Sequence, residues 1–469
     1  MNLILDQALE ILNEFTLCPT CLGRQYANLL TGTTNLARGE AILTTIGMTQ
    51  HQKILNHELD LSTYEKLLKI PFSLFHKSYS KISDSAVMLT LSENPLEPEP
   101  AKPLSKIPEP NSCYLCKGNL EIANIESLSQ QVLLHSKFYE FSTFLVGSVV
   151  PAEFIEREED LRARFNLNFG ESIKSDFNRE IGKAVIRKKE FSEKEVDFNN
   201  PDLVFIVDLV DDMIKIQNNP IFILGRYKKL ERGIPQAIWL CNVCNGSGCE
   251  ECDDTGRRYP DAVEEYVLVP LQQAAKAKDS SFHASGREDV DALMLGDGRP
   301  FVAELKEPKI RTLDLPALEE RINQEARGRV ECKLLGMTNR EKIRLLKGKS
   351  TKMGKTYRMG VRLANEIEIA LNDIQKLVGQ IEQKTPTRVK HRRADLLRKR
   401  EVYQISGKQI SQDQLEITVF CEGGLYVKEL MHGDPSDEGN RTIPSLSEVL
   451  NVPVTVEYLD VLKVEELED

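Results

Sequence analysis

The spacing of apolar residues predicts helices and strands along most of the chain. Leu5, Ala8, Leu12 and Phe15 recur at helical intervals near the N-terminus. Helical spacing also predicts helices in EFIEREEDLRARF and ESIKSDFNREIGKAVIRKK, whereas YEFSTFLVGSVVP, PDLVFIVDLV and DMIKIQNNPIFILGRYKKL predict strands. These elements predict a separate α/β unit that begins near residue 136 and ends near residue 235.

Strands and helices are also predicted after Tyr259. The segments VEEYVLVPL, RPFVAEL and LEITVFC have the composition of strands, and apolar residues alternate in the last of them. A helix is predicted over residues 365–381, because its apolar residues share one face. These residues are Ile367, Leu371, Ile374, Val378 and Ile381. The expected fold class is α/β (α+β) in a multidomain chain.

The length and composition are those of a globular protein with several domains. The chain has 469 residues, of which 41% are hydrophobic and 28% are charged. The apolar runs are too short to span a bilayer, and acidic residues interrupt any signal-peptide core at the N-terminus. We therefore expect a cytoplasmic protein with no membrane partner, and a monomer is favoured.

The charge is distributed unevenly. A net charge of −11 argues against a nucleic-acid partner only if it is spread over the whole chain. Two windows, Asn339–Arg358 and Lys384–Arg400, each hold eight basic residues and one acidic residue, which leaves −25 for the rest. The sequence therefore describes an acidic protein with a basic strip in its last third.

Eight of the ten cysteines form four Cys-x-x-Cys pairs. Two such pairs supply the four thiolates of a tetrahedral zinc site. One site is expected from the two distant pairs: Cys18, Cys21, Cys113 and Cys116. It would clamp the N-terminal helices to the chain beyond the proline-rich linker Ser92–Ser112. The alternative is that one or both pairs are ordinary thiols.

The segment CNVCNGSGCEEC holds the other two pairs: Cys241, Cys244, Cys249 and Cys252. Its glycines allow a tight loop around one ion, so a self-contained zinc knuckle is predicted. A redox dithiol or an unligated loop is the alternative. The first half of the segment also matches the Cys-x-x-Cys-x-Gly-x-Gly repeat of J-protein chaperones, but neither further repeats nor a J domain accompany it.

The sequence matches none of the familiar catalytic motifs considered, but one acidic segment is a candidate for catalysis. GKSTKMGKT has one residue too many for a phosphate loop, and neither a nucleophile elbow nor a His-Glu-x-x-His pair occurs. The segment SGREDVDALMLGDGRPFVAEL differs, because it places several carboxylates and an arginine between glycines before a predicted strand. A carboxylate in such a loop is a candidate nucleophile or base, since the arginine favours its ionised form.

Four segments resemble, in order and at similar spacing, the motifs of the pseudouridine synthase 10 family, especially its archaeal members. They are GREDVDALMLGDGRPF, KTYRMG, QKTPTRVKHRR and GLYVKELMHGD. Tyr139 to Pro235 resembles the THUMP-containing RNA-binding region of that family, and the two distant Cys pairs resemble its accessory zinc site. The resemblance implies isomerisation of uridine to pseudouridine at tRNA positions 54 and 55, in the T-loop, with base flipping. It implies structural zinc and no cofactor for catalysis.

The resemblance also assigns roles to single residues. Asp289 stands in the Arg-x-Asp context of the catalytic aspartate, and Arg287 is expected to contact the substrate. Tyr357 and Tyr426 match substrate-contacting tyrosines, and the first is expected to stack on the flipped uracil. Lys428 falls where the superfamily places a basic residue that pairs with the catalytic carboxylate. A core aromatic residue is the alternative for Tyr426.

The basic strip then supplies candidate phosphate contacts along the T-arm of tRNA. The candidates are Lys355, Arg388, Lys390, His391, Arg392 and Arg393, together with Lys349 and Lys352. The same strip and the same Cys pairs also fit the alternative function, a non-catalytic zinc-bearing RNA-binding protein.

These observations predict four regions. Residues 1–120 form an N-terminal helical and zinc-binding region that includes the linker 92–112, and residues 121–240 form a THUMP-like RNA-binding domain. Residues 241–258 form the Cys-rich zinc knuckle. Residues 259–469 form the catalytic domain, for which we expect the mixed β-sheet of pseudouridine synthases.

Overall fold

The chain divides into two compact units, Met1–Asn218 and Asn219–Asp469. A computed structural model describes residues 3–59, 61–93, 104, 106–348, 353–365, 371–392, 394–436 and 439–465. Much of the predicted linker, residues 94–103 and 105, lies outside the described residues. None of the described helices combines the length and the apolar character that crossing a bilayer requires.

The first unit joins helices to a four-stranded sheet. The helices are α1 (Leu3–Glu14), α2 (Pro19–Arg24), α3 (Asn35–Leu55), α4 (Leu61–Glu65), α5 (Ser73–Glu93), α6 (Ile122–Ser136), α7 (Ala152–Arg164) and α8 (Ile173–Ile186), with 3-10 turns at Lys66–Lys69 and Lys189–Phe191. The strands are β1 (Thr143–Val149), β2 (Glu195–Val196), β3 (Leu203–Asp208) and β4 (Met213–Asn218). The strand order is β2-β1-β3-β4, with β1 parallel to β2 and β3, and β4 antiparallel to β3.

Local sequence explains these elements. Phe144 and Val146 alternate with less buried residues along β1, so one face of the strand enters the core. Helix α8 begins after Ser172, whose hydroxyl accepts a hydrogen bond from the Ser175 N–H at 3.2 Å and so caps the helix. The helices predicted at α1, α7 and α8 and the strands predicted at β1, β3 and β4 are confirmed.

The second unit is built on a ten-stranded sheet. Its helices are α9 (Val263–Ala275), α10 (Leu315–Ala326), α11 (Arg340–Gly348), α12 (Val427–His432) and α13 (Leu446–Leu450), with 3-10 turns at Glu250–Cys252, Leu371–Leu377 and Thr387–Arg392. Its strands are β5 (Ile221–Lys229), β6 (Asp279–Ala284), β7 (Leu293–Lys306), β8 (Val330–Thr338), β9 (Lys355–Leu363), β10 (Gly379–Gln383), β11 (Arg398–Ser411), β12 (Gln414–Cys421), β13 (Pro435–Ser436), β14 (Gly439–Asn440), β15 (Thr442–Ile443) and β16 (Val454–Val464).

Strand order brings distant motifs together in this sheet. The order is β15-β10-β11-β12-β9-β16-β7-β5-β8, and β6 also pairs with β7. Strands β7 and β16 are parallel, and β9 is antiparallel to both β12 and β16. Tyr357 on β9 therefore lies opposite Val419 on β12 and Val461 on β16. The KTYRMG motif thus lies in the interior of the sheet, flanked by apolar residues.

Two predictions of secondary structure are wrong. The segment VEEYVLVPL forms the first part of helix α9 rather than a strand, because Val263, Val267 and Leu271 recur every fourth residue and are all buried on one helical face. In the predicted helix over 365–381, the described part forms a 3-10 turn and then strand β10. Ile381 pairs with Arg400 of β11, so pairing with a distant strand overrides the local helical pattern.

The boundary between the units also differs from the predicted regions. Strand β5 lies inside the predicted THUMP-like region 121–240, yet it pairs with β7 and β8 of the second sheet. Only Asn219 and Pro220 separate β4 from β5, so the sequence resembles a hairpin. Strand pairing is decided by residues far along the chain, and a local pattern does not reveal it.

Candidate active site

The loop between β6 and β7 carries Asp289 and is held by a buried lysine. Lys229 Nζ donates hydrogen bonds to the backbone oxygens of Asp289 and Val290, both at 3.0 Å, and of Ile234 at 2.8 Å. Burial lowers the pKa of Lys229 to about 8. Three carbonyl oxygens around one ammonium group fix the backbone that follows the Asp289 side chain and tie it to the segment at Ile234.

Behind this loop lies a buried ion pair. Arg299 Nε donates to Glu288 Oε2 at 2.8 Å, and its Nη1 donates to the backbone oxygen of Ser285 at 2.8 Å. The Tyr227 hydroxyl contacts both oxygens of Glu288 at 3.0 and 2.9 Å. Glu288 is 6% exposed, whereas the side chain of Asp289 is 41% exposed. Because Glu288 is anchored inward, Asp289 is the accessible one of these two adjacent carboxylates.

Two cations face Asp289. Lys428 Nζ, from helix α12, lies 3.3 Å from Asp289 Oδ2, and Arg388 Nη1 lies 3.7 Å from the same oxygen. Arg388 is held in place by Glu429, which accepts a hydrogen bond from its Nε at 2.7 Å. Both cations lie at ion-pair distance from the Asp289 carboxylate and restrict its rotamers.

Lys428 is shared with a second carboxylate, Asp291. Its Nζ lies 2.8 Å from Asp291 Oδ2. Burial is the largest single influence and acts to raise the pKa of Asp291, but the hydrogen bond and the charge of Lys428, together with smaller contributions that include the charge of Lys229, lower this pKa on balance. The side chain of Asp291 is 70% exposed. Asp289 lines a cleft in the second unit, and Asp291 is not among the residues that line it. Of the two carboxylates that contact Lys428, Asp289 is therefore the one that faces the cleft.

Two tyrosines lie beside Asp289 in one cleft. Tyr357 projects from β9, and burial raises its pKa well above the ordinary value. Tyr426 precedes α12, where its backbone N–H donates to Gln383 Oε1 and its carbonyl oxygen accepts from Gln383 Nε2, both at 2.9 Å. This reciprocal pair ties the start of α12 to β10. The sequence motifs that contain the two tyrosines are thus brought together by the sheet.

The cleft has a volume of about 340 Å³ and is rich in cations. Its charged and aromatic lining residues are Arg287, Glu288, Asp289, Arg299, Lys355, Tyr357, Arg388, Arg398, Arg400, Tyr426 and Lys428. A volume of this order accommodates a flat ring system such as a nucleobase. The excess of cations over carboxylates suits a substrate that carries phosphate.

The structure brings some of the predicted basic residues to the cleft. Lys355 lines it but is only 8% exposed, and burial, followed by the nearby Arg299, lowers its pKa to about 8. Lys390 is exposed and pairs with Asp395 at 3.1 Å, and His391 is also exposed. Lys355 is therefore placed in the cleft wall rather than on the open surface.

The remaining basic candidates lie outside the described residues. They are Arg393, Lys349 and Lys352, and the side chain of Arg392.

Sequence reasoning missed several residues of the site. Arg398 and Arg400 line the cleft from β11, and their spacing of two residues on a strand places them on one face. That alternation was a usable signal once β11 was identified as a strand. Lys229 and Arg299 carry no such signal, since each stands among other charged residues of its strand and its partners come from other segments.

The four distant cysteines lie together in the first unit. Their sulfur atoms lie within 4.8 Å of one another, and Cys18 Sγ is 3.7 Å from Cys116 Sγ. A Zn–S bond of about 2.3 Å implies an edge of about 3.8 Å in a tetrahedral site, so the spacing fits zinc. Arg24, which is fully buried, directs Nη2 at Cys21 Sγ from 3.6 Å. A cation beside the sulfurs suits four thiolates around one divalent ion.

The compact Cys segment meets the same geometric test. Cys241 and Cys249 lie 3.8 Å apart, as do Cys244 and Cys252, measured between sulfur atoms. The backbone N–H of Gly256 donates to Cys252 Sγ at 3.2 Å. The left-handed backbone at Gly246 and Gly248 closes the loop around the sulfurs. Both Cys₄ clusters could therefore hold zinc, as the sequence predicts.

Family models match most of the chain. The model described as "Pus10, C-terminal" matches residues 222–465, and the model described as "Pus10 THUMP domain, archaeal" matches residues 128–208. The chain belongs to the Pus10 family. The family predicted from the motifs is thereby confirmed, and so are the α/β (α+β) fold class and the THUMP domain. The Pus10 C-terminal match begins in β5, in agreement with the pairing of that strand.

Curated Pus10 proteins are similar over nearly their full length. The tRNA pseudouridine synthase Pus10 of Methanothrix thermoacetophila is 37% identical over 98% of this chain and 94% of that protein. The protein of the same name from Methanocaldococcus jannaschii is 39% identical over 97% of this chain and 93% of that protein. Enzymes of this name are isomerases. Among solved structures, a Cbf5–Nop10–Gar1 complex covers 42% of this chain and 44% of that chain at 16% identity, with a TM-score of 0.27.

Proposed function

We propose that this Pus10 chain converts uridine to pseudouridine at tRNA positions 54 and 55, in the T-loop, with Asp289 as the catalytic residue. The observation that carries the proposal is the cleft in which Asp289 faces Lys428 at 3.3 Å and Arg388 at 3.7 Å. Tyr357 and Tyr426 line the same cleft. A carboxylate, two cations and two aromatic rings are the groups that a flipped uridine would require.

The reaction needs no external reagent. The bond between C1′ and N1 breaks, C1′ bonds to C5, the proton on C5 leaves and N1 gains a proton, so atoms and electrons balance. A carboxylate such as Asp289 serves either as the nucleophile or as the base at the ribose or the uracil. Lys428 and Arg388 hold that carboxylate oriented for either role.

The aromatic residues suit a base that has left its stack. A target base inside a folded loop must be extruded before an enzyme can act on it. Tyr357 is partly buried at the wall of the cleft, and burial raises the pKa of its hydroxyl. We assign its ring to stacking against the uracil. Tyr426 lies at the start of α12 and contacts the same base or its ribose.

Cations around the cleft would bind the RNA backbone. Arg287, Arg398 and Arg400 line the cleft, and Lys390 and His391 are exposed on the 3-10 turn that also carries Arg388. Phosphate contacts of this kind position an RNA without reading its sequence, so specificity would come from the shape of the T-arm. The THUMP domain, matched at residues 128–208, is assigned to binding elsewhere on the tRNA.

Structural zinc completes the proposal. The sets Cys18, Cys21, Cys113, Cys116 and Cys241, Cys244, Cys249, Cys252 would each hold one ion. Zinc supplies cross-links that stabilise small loops, and no step of the isomerisation is assigned to it.

Position-resolved mapping of pseudouridine on unmodified tRNA tests the function. The wild type is expected to modify the two T-loop uridines, and Asp289→Asn is expected to bind tRNA but form no pseudouridine. The matched control is Asp297→Asn, an exposed carboxylate on β7 that does not line the cleft, and it should retain activity. Binding without any pseudouridine in the wild type would instead support the non-catalytic RNA-binding protein.

A further inference from the structure

The two ends of the compact Cys segment pair with each other. They pair as short antiparallel chains, because Leu240 bridges Arg257 and the N–H of Arg258 donates to the Trp239 carbonyl oxygen at 2.9 Å. The N–H of Cys241 donates to the Gly256 carbonyl oxygen at 2.8 Å. The four cysteines close this pair of chains at its far end.

Trp239 lies where the paired ends of the Cys segment begin, and it is the only tryptophan in the sequence. The guanidinium carbons of Arg258 and Arg287 each lie 5.5 Å from the centre of its ring. Arg287 lines the catalytic cleft and lies two residues before Asp289, whereas Arg258 does not line it. One indole ring therefore contacts one arginine of the site and one arginine outside it.

A second contact ties the same segment to the loop. Gln236 Nε2 donates to the carbonyl oxygen of Gly286 at 3.0 Å and contacts the Tyr227 hydroxyl at 2.6 Å. The chain that runs from Gln236 through Trp239 into Cys241 thus follows the loop that carries Arg287. This placement gives the Cys segment a route to the active site that its distance along the sequence does not suggest.

The order of the segment depends on its sulfurs. Between Cys241 and Cys252, the buried residues are those two cysteines themselves, and the rest of the loop is exposed or half-buried. A loop with so little apolar core is held by a metal ion if it is held at all. Trp239, whose ring also contacts the ring of Tyr259 at 5.5 Å, would then change its position with the state of the cluster.

We propose that the zinc-loaded Cys241–Cys252 cluster braces the active site, with Trp239 as a positioning residue that holds Arg287 at the cleft to contact an RNA phosphate. The proposal rests on the function proposed above. Arg287 has an exposed side chain, and without the ring beneath it the guanidinium group would sample many rotamers. The cluster would therefore act on substrate binding rather than on the chemical step.

Fluorescence tests the structural link without using activity. Because Trp239 is the only tryptophan, its emission reports on this one ring. Cys244→Ser is expected to lower the zinc content by one ion per chain and to shift the emission to longer wavelength. Cys113→Ser, which removes a ligand of the other cluster, is the matched control and should leave the emission unchanged. Unchanged emission in Cys244→Ser would overturn the proposal.

Kinetics on tRNA test the functional link. Trp239→Ala and Arg287→Ala should each raise KM roughly tenfold, the size of one lost charged hydrogen bond, and change kcat less than twofold. The double variant should be no worse than either single variant, because both remove the same contact. Trp239→Phe should restore most of the affinity, since it keeps an aromatic face.

Arg258→Ala is the control in the kinetic test, since it removes the other arginine on the same ring and should leave KM within twofold. If the increases in KM add up in the double variant, or if KM is unchanged in Arg287→Ala, then Trp239 does not position Arg287 for substrate binding. Either result leaves the proposed formation of pseudouridine intact. Absence of pseudouridine in the wild type would overturn the proposed function instead, and the fluorescence result would still decide whether the cluster controls Trp239.

Discussion

Lys428 Nζ lies 3.3 Å from Oδ2 of Asp289, across the cleft between helix α12 and the loop that precedes β7. The two residues are separated by more than a hundred positions in the sequence. Their contact makes the carboxylate part of a charged network rather than an isolated acid in a loop. The catalytic role proposed for Asp289 depends on this network.

Removal of the Lys428 charge should slow catalysis. In Lys428→Met the side chain keeps its length, but Asp289 loses its nearer cation and its fixed orientation, so we expect kcat to fall about 100-fold. Initial rates of pseudouridine formation at saturating tRNA measure the effect. Asp291→Asn is the control, because Asp291 is the more exposed partner of Lys428, and its kcat should stay within about threefold. A larger loss in Asp291→Asn than in Lys428→Met would contradict the choice of Asp289.

Burial of Lys355 should make stability depend on pH in the alkaline range. Its pKa is lowered to about 8 in the folded chain, and its ordinary value is 10.5. Between these values the unfolded chain binds more protons at this site, so the free energy of unfolding rises with pH. Relative to Lys355→Met, the wild type should gain up to about 3 kcal/mol as pH rises from 8 to 10.5.

Denaturant unfolding of the wild type and of Lys355→Met across this pH range measures that gain. Lys229, whose pKa is also lowered to about 8, titrates in both proteins and cancels in the comparison. If the difference in the free energy of unfolding between the two proteins stays constant from pH 7 to pH 11, folding does not lower the pKa of Lys355.

The two Cys₄ clusters should each hold one zinc ion. Elemental analysis of the purified wild type is expected to give two zinc ions per chain, and Cys18→Ser or Cys249→Ser should each give about one. Cys332→Ala is the control, because Cys332 is buried in the second unit outside both clusters, and it should retain two ions. A chain that is folded and contains no zinc would refute the metal assignment for both clusters.

Binding of tRNA should weaken with salt in proportion to the phosphate contacts. Lys390→Ala should reduce the slope of log Kd against log salt concentration by about 0.7 to 0.9, the value for one lost phosphate contact. The measurement is a titration of labelled tRNA at several salt concentrations. Lys278→Ala is the control, because Lys278 pairs with Glu307 outside the cleft and should leave the slope unchanged. Equal reductions in both variants would argue against a localised phosphate site.

The same titration tests Arg392 and Arg393, which the sequence alone nominates. Their joint replacement by alanine should weaken binding far more than the loss of two exposed lysines elsewhere, since they continue the basic run that contains Arg388 and Lys390. A loss no greater than that of the lysine pair would remove them from the RNA contacts.

The sequence predicts which residues form the candidate site more completely than it predicts how they are arranged. The motifs around Asp289, Tyr357 and Lys428 were recognisable because each is continuous along the chain. The Cys pairs were recognisable for the same reason, since a Cys-x-x-Cys turn aims two sulfurs at one point whatever surrounds it. The predicted strand at β12 was also correct, because Leu415 and Ile417 alternate with half-buried residues.

Only the tertiary structure decided which residues meet. The sheet order places β9 between β12 and β16, and this order brings Tyr357 near the loop of Asp289. It also assigns β5 to the second unit and turns Ile381 into a strand residue, against the local pattern. The burial of Lys355 and the contact between Trp239 and Arg287 follow from the same packing.

The division has a physical cause. Helical period, strand alternation, turn glycines and metal-ligand spacing are set by neighbours within a few residues, so the sequence by itself determined them. Strand pairing, burial of a charge and the distance between Lys428 and Asp289 arise when segments far apart in the chain pack together. Those properties depend on free energies of contact summed over the whole sheet, and only the tertiary structure decided them.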